Sequence, residues 1–302
     1  MGIEAQHAGG RVSATAARVE AEEKAEAGTA GLGASPPAGV ALNFGLAILG
    51  IFRNLSFLFV LLVVWEILST LWLPRVDRHL AILMPAPSSI VKAAGELLAS
   101  GELIHHLLAS IKREATAFVF ASSAIPIGMA MGWWHGVNKQ LNPVIELLRP
   151  IPPLAWIPLS ILWFGIGDTQ NQFIIFLGMF FPILINTFTG VRSIEPNLIR
   201  AARSLGANER NVLRRIVFKA ALPQIVTGIR IGLGVGWMAL VAAELVGASS
   251  GLGFLINDAR SVLRTDFIFV GMITIGLAGL CIDISLRAGM RRILPWSLSL
   301  GH

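Results

Sequence analysis

The sequence has few charged residues and almost no cysteine, and both shortages limit what the chain can be. Only 14% of its 302 residues are charged, whereas 54% are hydrophobic, and the mean hydropathy is +0.70. A chain of this length with so little charge is too apolar for a soluble domain. The single cysteine, Cys281, excludes an intrachain disulfide and a cysteine metal cluster. Composition therefore predicts an all-α membrane protein that crosses the bilayer several times.

Two motifs that carry common enzyme chemistry are also missing. The chain contains no Gly-Lys dipeptide, so it has no phosphate-binding loop of the kind found in ATPases. It has no His-Glu-x-x-His zinc motif either, and we expect no metal site. We therefore predict that this chain is not an enzyme and binds no cofactor of its own.

Basic residues outnumber acidic ones by 24 to 18, and the isoelectric point is near 10.4. These residues flank apolar segments, where basic side chains orient membrane spans, so we expect no nucleic acid partner. The N-terminal region has a different composition, rich in Ala, Gly, Glu, Ser and Pro. Because it cannot bury enough apolar surface to offset chain entropy, we predict a disordered cytoplasmic tail over residues 1–43. The remaining residues, 44–302, are predicted to form one transmembrane domain.

Six apolar stretches are long enough to span the membrane, since at about 1.5 Å per residue each covers most of the roughly 30 Å hydrocarbon layer. They are Leu55 to Leu73, Ala115 to Trp134, Pro143 to Ile166, Phe173 to Val191, Ile225 to Val246 and Phe267 to Leu286. The distribution of basic residues places both termini in the cytoplasm. The third stretch carries five prolines. Their missing amide donors predict a broken or kinked span that faces protein or a water-filled path.

A polar, basic stretch separates the fourth and fifth spans. From Arg192 to Lys219 it contains seven basic residues and two acidic ones, a bias that assigns it to the cytoplasm. Pro196 suits the first turn of a helix, and Gly206 suits a left-handed stop. The pattern predicts a short helix, a glycine break, and a second helix that leads past Pro223 into the fifth span.

This stretch resembles the signature loop of ABC-importer permeases, in which Glu-Ala-Ala, a later Gly and a distal Leu-Pro mark the helix that docks on a separate ATPase. Here Arg200-Ala201-Ala202, Gly206 and Leu222-Pro223 hold those places, with Arg200 where the pattern has Glu. The resemblance implies a coupling loop over residues 192–222. The residues it implies for ATPase contact are Arg200, Ala201, Ala202, Arg203, Gly206 and Ala207. The alternative is an ordinary solvated loop.

Longer motifs are similar to permeases that import taurine, other sulfonates and nitrate. They include the segment Pro143 to Gly167, the segment Thr227 to Trp237, and Leu240-Val-Ala-Ala-Glu-Leu-Val246. The likeness extends from about Pro85 to Trp296 and is strongest to taurine permeases. It implies a type I ABC-importer permease fold in the bacterial inner membrane, and import of taurine or a related alkanesulfonate. A permease for nitrate or another small anion is one alternative, and a proton-coupled transporter that uses Glu66, Glu244 or Asp283 as its relay is another.

The same resemblance implies partners: a second copy of the chain, two ABC ATPase subunits that bind ATP and Mg, a periplasmic substrate-binding protein, and membrane lipids. The expected translocation path consists of Pro152, Pro153, Trp156, Trp163, Gly232, Gly236, Trp237 and Glu244. Gly228, Gly232 and Gly236 recur every four residues, which fits a dimer seam, a path lining or packing within one subunit. Glu244 fits either a gate or a brace for Arg260 or Arg264, and Asp283 is expected to pair with Arg287.

Overall fold

The computed structural model describes residues 56–57, 59–76 and 82–293. Residues Met1–Val64 and Trp65–His302 form two units, and the contacts below are those of the second unit. The predicted tail over residues 1–43 lies outside the described residues. All regular structure in the described ranges is helical.

The described part contains eleven helices, named here in chain order. They are α1 (Phe59–Val76), α2 (Pro87–Ala99), α3 (Glu102–Ala121), α4 (Ala124–Trp133), α5 (His135–Leu148), α6 (Ile157–Phe164), α7 (Asp168–Arg192), α8 (Pro196–Ser204), α9 (Glu209–Gly247), α10 (Leu252–Ser261) and α11 (Thr265–Ile293). Five helical segments are long and apolar enough to cross a membrane: α1, α3 with α4, α7, α9 and α11. The bent pair formed by α5 and residues Pro153–Phe164 makes a sixth. The prediction of about six spans in an all-α fold is confirmed.

The third span is broken, as its prolines predicted. Helix α5 ends at Leu148, and after a turn the chain resumes as a short 3-10 segment, Pro153–Trp156, that leads into α6. The two halves meet at an angle of 83°. The predicted start at Pro143 is wrong, because α5 begins at His135 and includes Pro143. No residue of α5 is buried in this chain.

The centre of the second unit is the pair α7 and α9, which the glycines of α9 bring close together. A methyl group added at Gly228 would lie 2.7 Å from Cβ of Asn186, and one added at Gly236 would lie 2.6 Å from Cε of Met179. Real Cβ atoms essentially never approach so closely. Gly228 therefore needs to be glycine if the two helices are to keep this spacing, because the nearest atom is a Cβ fixed to the backbone of α7, whereas at Gly236 the nearest atom is the end of the flexible Met179 side chain. Of the three interpretations of the glycine stripe, packing within one chain is therefore the one that this structure contains.

Boundaries of the first and second spans also differ from the predictions. The first span does not end at Leu73, because α1 continues through Pro74 to Val76. The preceding turn, Leu68–Trp72, is a π-helix in which the amide of Leu73 bonds to the carbonyl of Leu68, and this wider turn leaves room for the proline ring. The second span begins at Glu102 instead of Ala115. Its extra turns carry polar side chains that find partners on other helices.

Helices α1 and α2 are joined by a carboxylate at a helix N-terminus. Glu66 accepts hydrogen bonds from the backbone amide of Ser88 at 3.0 Å and from its hydroxyl at 2.7 Å. Ser88 lies in the first turn of α2, where unpaired amides and the helix dipole favour a negative charge. Glu66, which had no assigned partner from the sequence, therefore holds the start of α2 against α1.

Candidate coupling helix and translocation path

Helix α8 is a short helix with well-defined ends, as the basic stretch predicted. It begins at Pro196, where the missing amide costs nothing. At its C-terminus the amide of Gly206 bonds to the carbonyl of Arg203 at 2.9 Å, and the amide of Ala207 bonds to that of Ala202 at 3.1 Å. These two bonds form a Schellman motif. Gly206 has φ of +81°, a left-handed conformation that favours glycine.

One face of α8 is buried in its own chain. Ala202 is 8% exposed and packs in an apolar cluster with Val191 at the end of α7 and with the first turns of α9. Arg200, Ala201 and Arg203 are exposed. Ala202 therefore attaches α8 to the bundle and does not present its side chain outwards. The contact of Ala202 and its neighbours with an ATPase stays a prediction.

The outward surface of α8 also carries an exposed apolar residue. Leu205, at the C-terminal end of α8, is 88% exposed. Beside α8 lies an open cavity of about 930 Å³. Its lining residues are Trp133, Trp134, Pro196, Ile199, Arg200, Arg203, Glu209, Arg210 and Leu213. Arg203 and Glu209 form an exposed ion pair at 2.7 Å across the glycine break. This end of the bundle therefore presents an exposed leucine, Leu205, next to a cavity lined by arginines and tryptophans.

At the far end of α7 from α8, a network of polar groups around the buried pair Arg113 and Glu244 joins four helices. Arg113 on α3 contacts Glu244 on α9 at 2.7 Å and Asp168 on α7 at 2.6 Å. It also donates to the backbone carbonyl of Ser250 at 2.6 Å. Glu244 accepts further hydrogen bonds, at 3.0 Å from the amide of Gly253 at the start of α10. A buried guanidinium and carboxylate with such complete pairing hold the segment after α9 in place.

The predicted partners of Glu244 are wrong, although its bracing role fits the network. Arg264 pairs with Glu96 at 3.0 Å and with Asp266 at 2.8 Å. The guanidinium of Arg260 donates to Asn257 at 2.9 Å. Both arginines lie near α10 on the exposed surface. Glu244 instead turns inwards to Arg113, which precedes the predicted second span, Ala115 to Trp134.

The three residues named as a possible proton relay, Glu66, Glu244 and Asp283, are each held by neighbours. Asp283 accepts from Arg287 at 2.8 Å, as predicted, and also from Arg230 at 2.8 Å. Glu66 accepts from Ser88, as described above, and Glu244 from Arg113. No group of three metal-ligating side chains occurs among residues 56–57, 59–76 and 82–293.

The structure does not bring the eight predicted path residues together. Trp156 and Trp163 lie 6.5 Å apart between ring centroids and share an aromatic cluster with Phe173 at the bend of the third span. Pro152 is exposed beside this bend, and Pro153 lines a separate cavity described below. The other four, Gly232, Gly236, Trp237 and Glu244, are buried. Their assignment to a translocation path stays a prediction.

Comparison with known proteins agrees with this architecture. The profile of a family described as "binding-protein-dependent transport system inner membrane component" matches residues 124–297. The taurine transport system permease protein TauC of Escherichia coli is 41% identical over 80% of this chain and 89% of its own. The bicarbonate transport system permease protein CmpB of Synechococcus elongatus is 35% identical over 78% of this chain and 86% of its own.

A solved structure shares the fold. An inward-facing form of the MetNI methionine ABC transporter aligns with a TM-score of 0.51 and 20% identity, and the match covers 62% of this chain and 95% of that one. The resemblance that the sequence motifs indicated is therefore confirmed. Relatives of this kind are transport subunits and not enzymes. The chain belongs to the binding-protein-dependent transport system inner membrane component family and is an ABC-importer permease.

Proposed function

We propose that this chain is the permease subunit of an ATP-driven importer of taurine or a related alkanesulfonate. The substrate class is supported by the similarity to TauC, which extends over most of both chains. The observation that carries the proposal is the geometry of α8. This short helix has well-defined ends, and Ala202 packs its inner face against the bundle. Its outer side presents Arg200, Ala201 and Leu205.

A movement of α8 would be transmitted directly to the membrane-spanning helices α7 and α9. Its buried face packs on Val191, the penultimate residue of α7, and on Val212 and Val217 in the first turns of α9. Helices α7 and α9 are themselves in close glycine-mediated contact. A partner that displaces α8 therefore moves these two central helices as one body, and two-state rocking of such a pair opens one side of a path while it closes the other.

The proposal assigns the chemistry of energy conversion to other chains. Two ABC ATPase subunits bind ATP and Mg and dock on the coupling loop over residues 192–222. A second copy of this chain completes the path by two-fold symmetry, and a periplasmic binding protein delivers the substrate. With α8 in the cytoplasm, the basic residues around it follow the positive-inside rule, and both termini lie on the same side.

A small inorganic anion is the second candidate substrate. It is favoured by the similarity to CmpB, a permease of a bicarbonate transport system, and nitrate belongs to the same class of small oxyanions. A sulfonate, nitrate and bicarbonate share a compact anionic head of oxygen atoms, so the same scaffold suits each of them.

Reconstitution of the complete importer in liposomes tests the function. Taurine uptake should require ATP on the side of the membrane that carries the ATPase. It should persist when an ionophore collapses the proton gradient. Ethanesulfonate should inhibit it more strongly than nitrate does. Uptake that needs no ATP and stops with the ionophore would contradict the proposal in favour of a proton-coupled transporter. Inhibition by nitrate or bicarbonate alone would favour the small-anion importer.

A further inference from the structure

A second cavity lies beside the bend of the third span, at the middle depth of the bundle. It has a volume of about 320 Å³, which falls at the lower end of the roughly 300–1,000 Å³ typical of small-molecule sites. Its α7 residues run from Leu177 to Asn186, which is the middle of a helix of 25 residues. The cavity therefore lies far from both ends of the spans, at the depth where transporters hold their substrates.

The cavity has one cation, Arg149. This residue caps α5, where its amide bonds to the carbonyl of Ile145. Pro150, Pro152 and Pro153 follow, so the chain cannot continue as a helix. The break therefore sets the guanidinium at the cavity, beside Pro153 and the middle of α7.

Arg149 has no partner in the described ranges, in contrast to a cation on α9 that is adjacent to the cavity. Arg230, next to the cavity residue Ile231, pairs with Asp283. Arg149 is exposed and makes no ion pair or side-chain hydrogen bond with any residue in the described ranges. A charge at this depth is costly, and such residues mark substrate or ion pathways. An unpaired guanidinium here is explained by a ligand or by water that the path admits.

The chemistry of the lining selects a small organic anion. A guanidinium presents a planar fork of donors that matches two oxygens of a sulfonate, as it matches those of a carboxylate or phosphate. Asn186 donates its amide to the carbonyl of Pro182 at 2.8 Å, which leaves its Oδ1 as an acceptor for an ammonium group. The remaining walls are mostly apolar and suit a short hydrocarbon link, with Ile151, Leu177, Phe181, Ile185, Ile231 and Val235 among them.

We propose that Arg149 and Asn186 form a mid-membrane substrate site, in which Arg149 binds the sulfonate and Asn186 accepts a hydrogen bond from the ammonium group of an aminosulfonate. This inference rests on the proposed function and deepens it. Selectivity then resides partly in the permease, and the broken third span positions the cation that the anion meets during its passage.

The test compares Arg149→Gln with Arg149→Lys and with Lys139→Gln in the complete reconstituted importer. Lys139 is an exposed cation on the same helix, outside the cavity, and so is the matched control. We expect Arg149→Gln to lower taurine import by at least about tenfold, while ATP hydrolysis stimulated by the loaded binding protein stays within about twofold of wild type. Arg149→Lys should retain part of the import, and Lys139→Gln should behave as wild type.

Two results would overturn the site. Normal import by Arg149→Gln would show that the guanidinium does not hold substrate. Loss of stimulated ATP hydrolysis together with import, in both Arg149 variants, would show a structural role. The proposed function is tested separately, because it fails if the wild-type importer transports no sulfonate. If the wild type instead transports another small oxyanion, loss of that transport in Arg149→Gln would support the substrate site. Unchanged transport in Arg149→Gln would contradict the site.

Discussion

Nη1 of Arg113 lies 2.7 Å from Oε1 of Glu244, and the two side chains are 4% and 0% exposed. The pair joins two spans that are 131 residues apart in sequence. It also fixes the start of α10, because Glu244 accepts from the amide of Gly253 and Arg113 bonds to Ser250. This network holds together the end of the bundle that lies away from the coupling helix.

Removing the cation of this network should destabilise the protein strongly. In Arg113→Met the carboxylate of Glu244 remains buried without its counter-charge, and breaking a buried pair in this way costs about 3–5 kcal/mol. The free energy of unfolding, measured by chemical denaturation in detergent micelles, should fall by that amount. Lys112→Met is the matched control, because Lys112 is the preceding residue on α3 and is exposed. Equal stability of the two variants would contradict a structural role for the pair.

The close contact of α7 and α9 should depend on where a glycine lies on α9. Gly228→Ala forces a methyl group to 2.7 Å from Cβ of Asn186, whereas an added methyl group at Gly234 meets nothing within 4 Å. Overpacking of this kind costs typically about 1–3 kcal/mol. We expect Gly228→Ala to lower the free energy of unfolding in detergent and Gly234→Ala to leave it unchanged or slightly higher. If both substitutions proved equally harmless, the two helices would not be packed as described.

The two alanines of α8 should respond differently to the same substitution. Ala201 is exposed and Ala202 is buried against the first turns of α9. Ala201→Trp should leave the permease stable and folded but reduce ATPase association measured by co-purification. Ala202→Trp should lower the thermal stability of the isolated permease, since an indole cannot fit in that cluster. The assignment of the two faces is wrong if Ala202→Trp leaves stability intact and Ala201→Trp reduces it.

Asn186 should distinguish substrates by their ammonium group. Asn186→Ala removes the acceptor that we assign to the ammonium of taurine, and a lost hydrogen bond to a charged group is worth about 1.5–3 kcal/mol, or roughly tenfold or more. In the reconstituted importer, taurine uptake should fall by that factor while uptake of ethanesulfonate, which lacks the ammonium, should be nearly unchanged. Equal losses for both compounds would argue for a packing role at the contact with Gly228.

The fold was largely accessible from local sequence signals. Prolines predicted the break in the third span because each removes an amide donor, and Pro196 and Gly206 predicted the ends of α8 through fixed backbone preferences. These signals act within a few residues of the site they specify. The predictions failed at Pro74 and Pro143, which lie inside helices that continue past them. They also failed at Glu102, where the helix depends on a distant contact, because it carries Arg113 to partners on α7 and α9.

The candidate site was harder to foresee for the same reason. From the sequence alone, a charged residue such as Arg113 is expected outside the membrane unless its partners are known. Those partners, Asp168 and Glu244, lie 55 and 131 residues away in sequence. The orientation of Ala202 depends on how α8 packs on α9. The proline motif that contains Arg149 indicated a broken span, but only the bend itself sets this guanidinium at the cavity beside α7.

The most direct test of the account concerns Leu205, the exposed residue at the end of α8. In a chain with Cys281→Ser and Leu205→Cys, a membrane-impermeant maleimide should label the new thiol in inside-out vesicles and not in intact cells. Assembly with the ATPase should then protect the thiol from labelling. Labelling from outside intact cells, or labelling that the ATPase does not affect, would contradict a cytoplasmic coupling helix and with it the proposed mechanism.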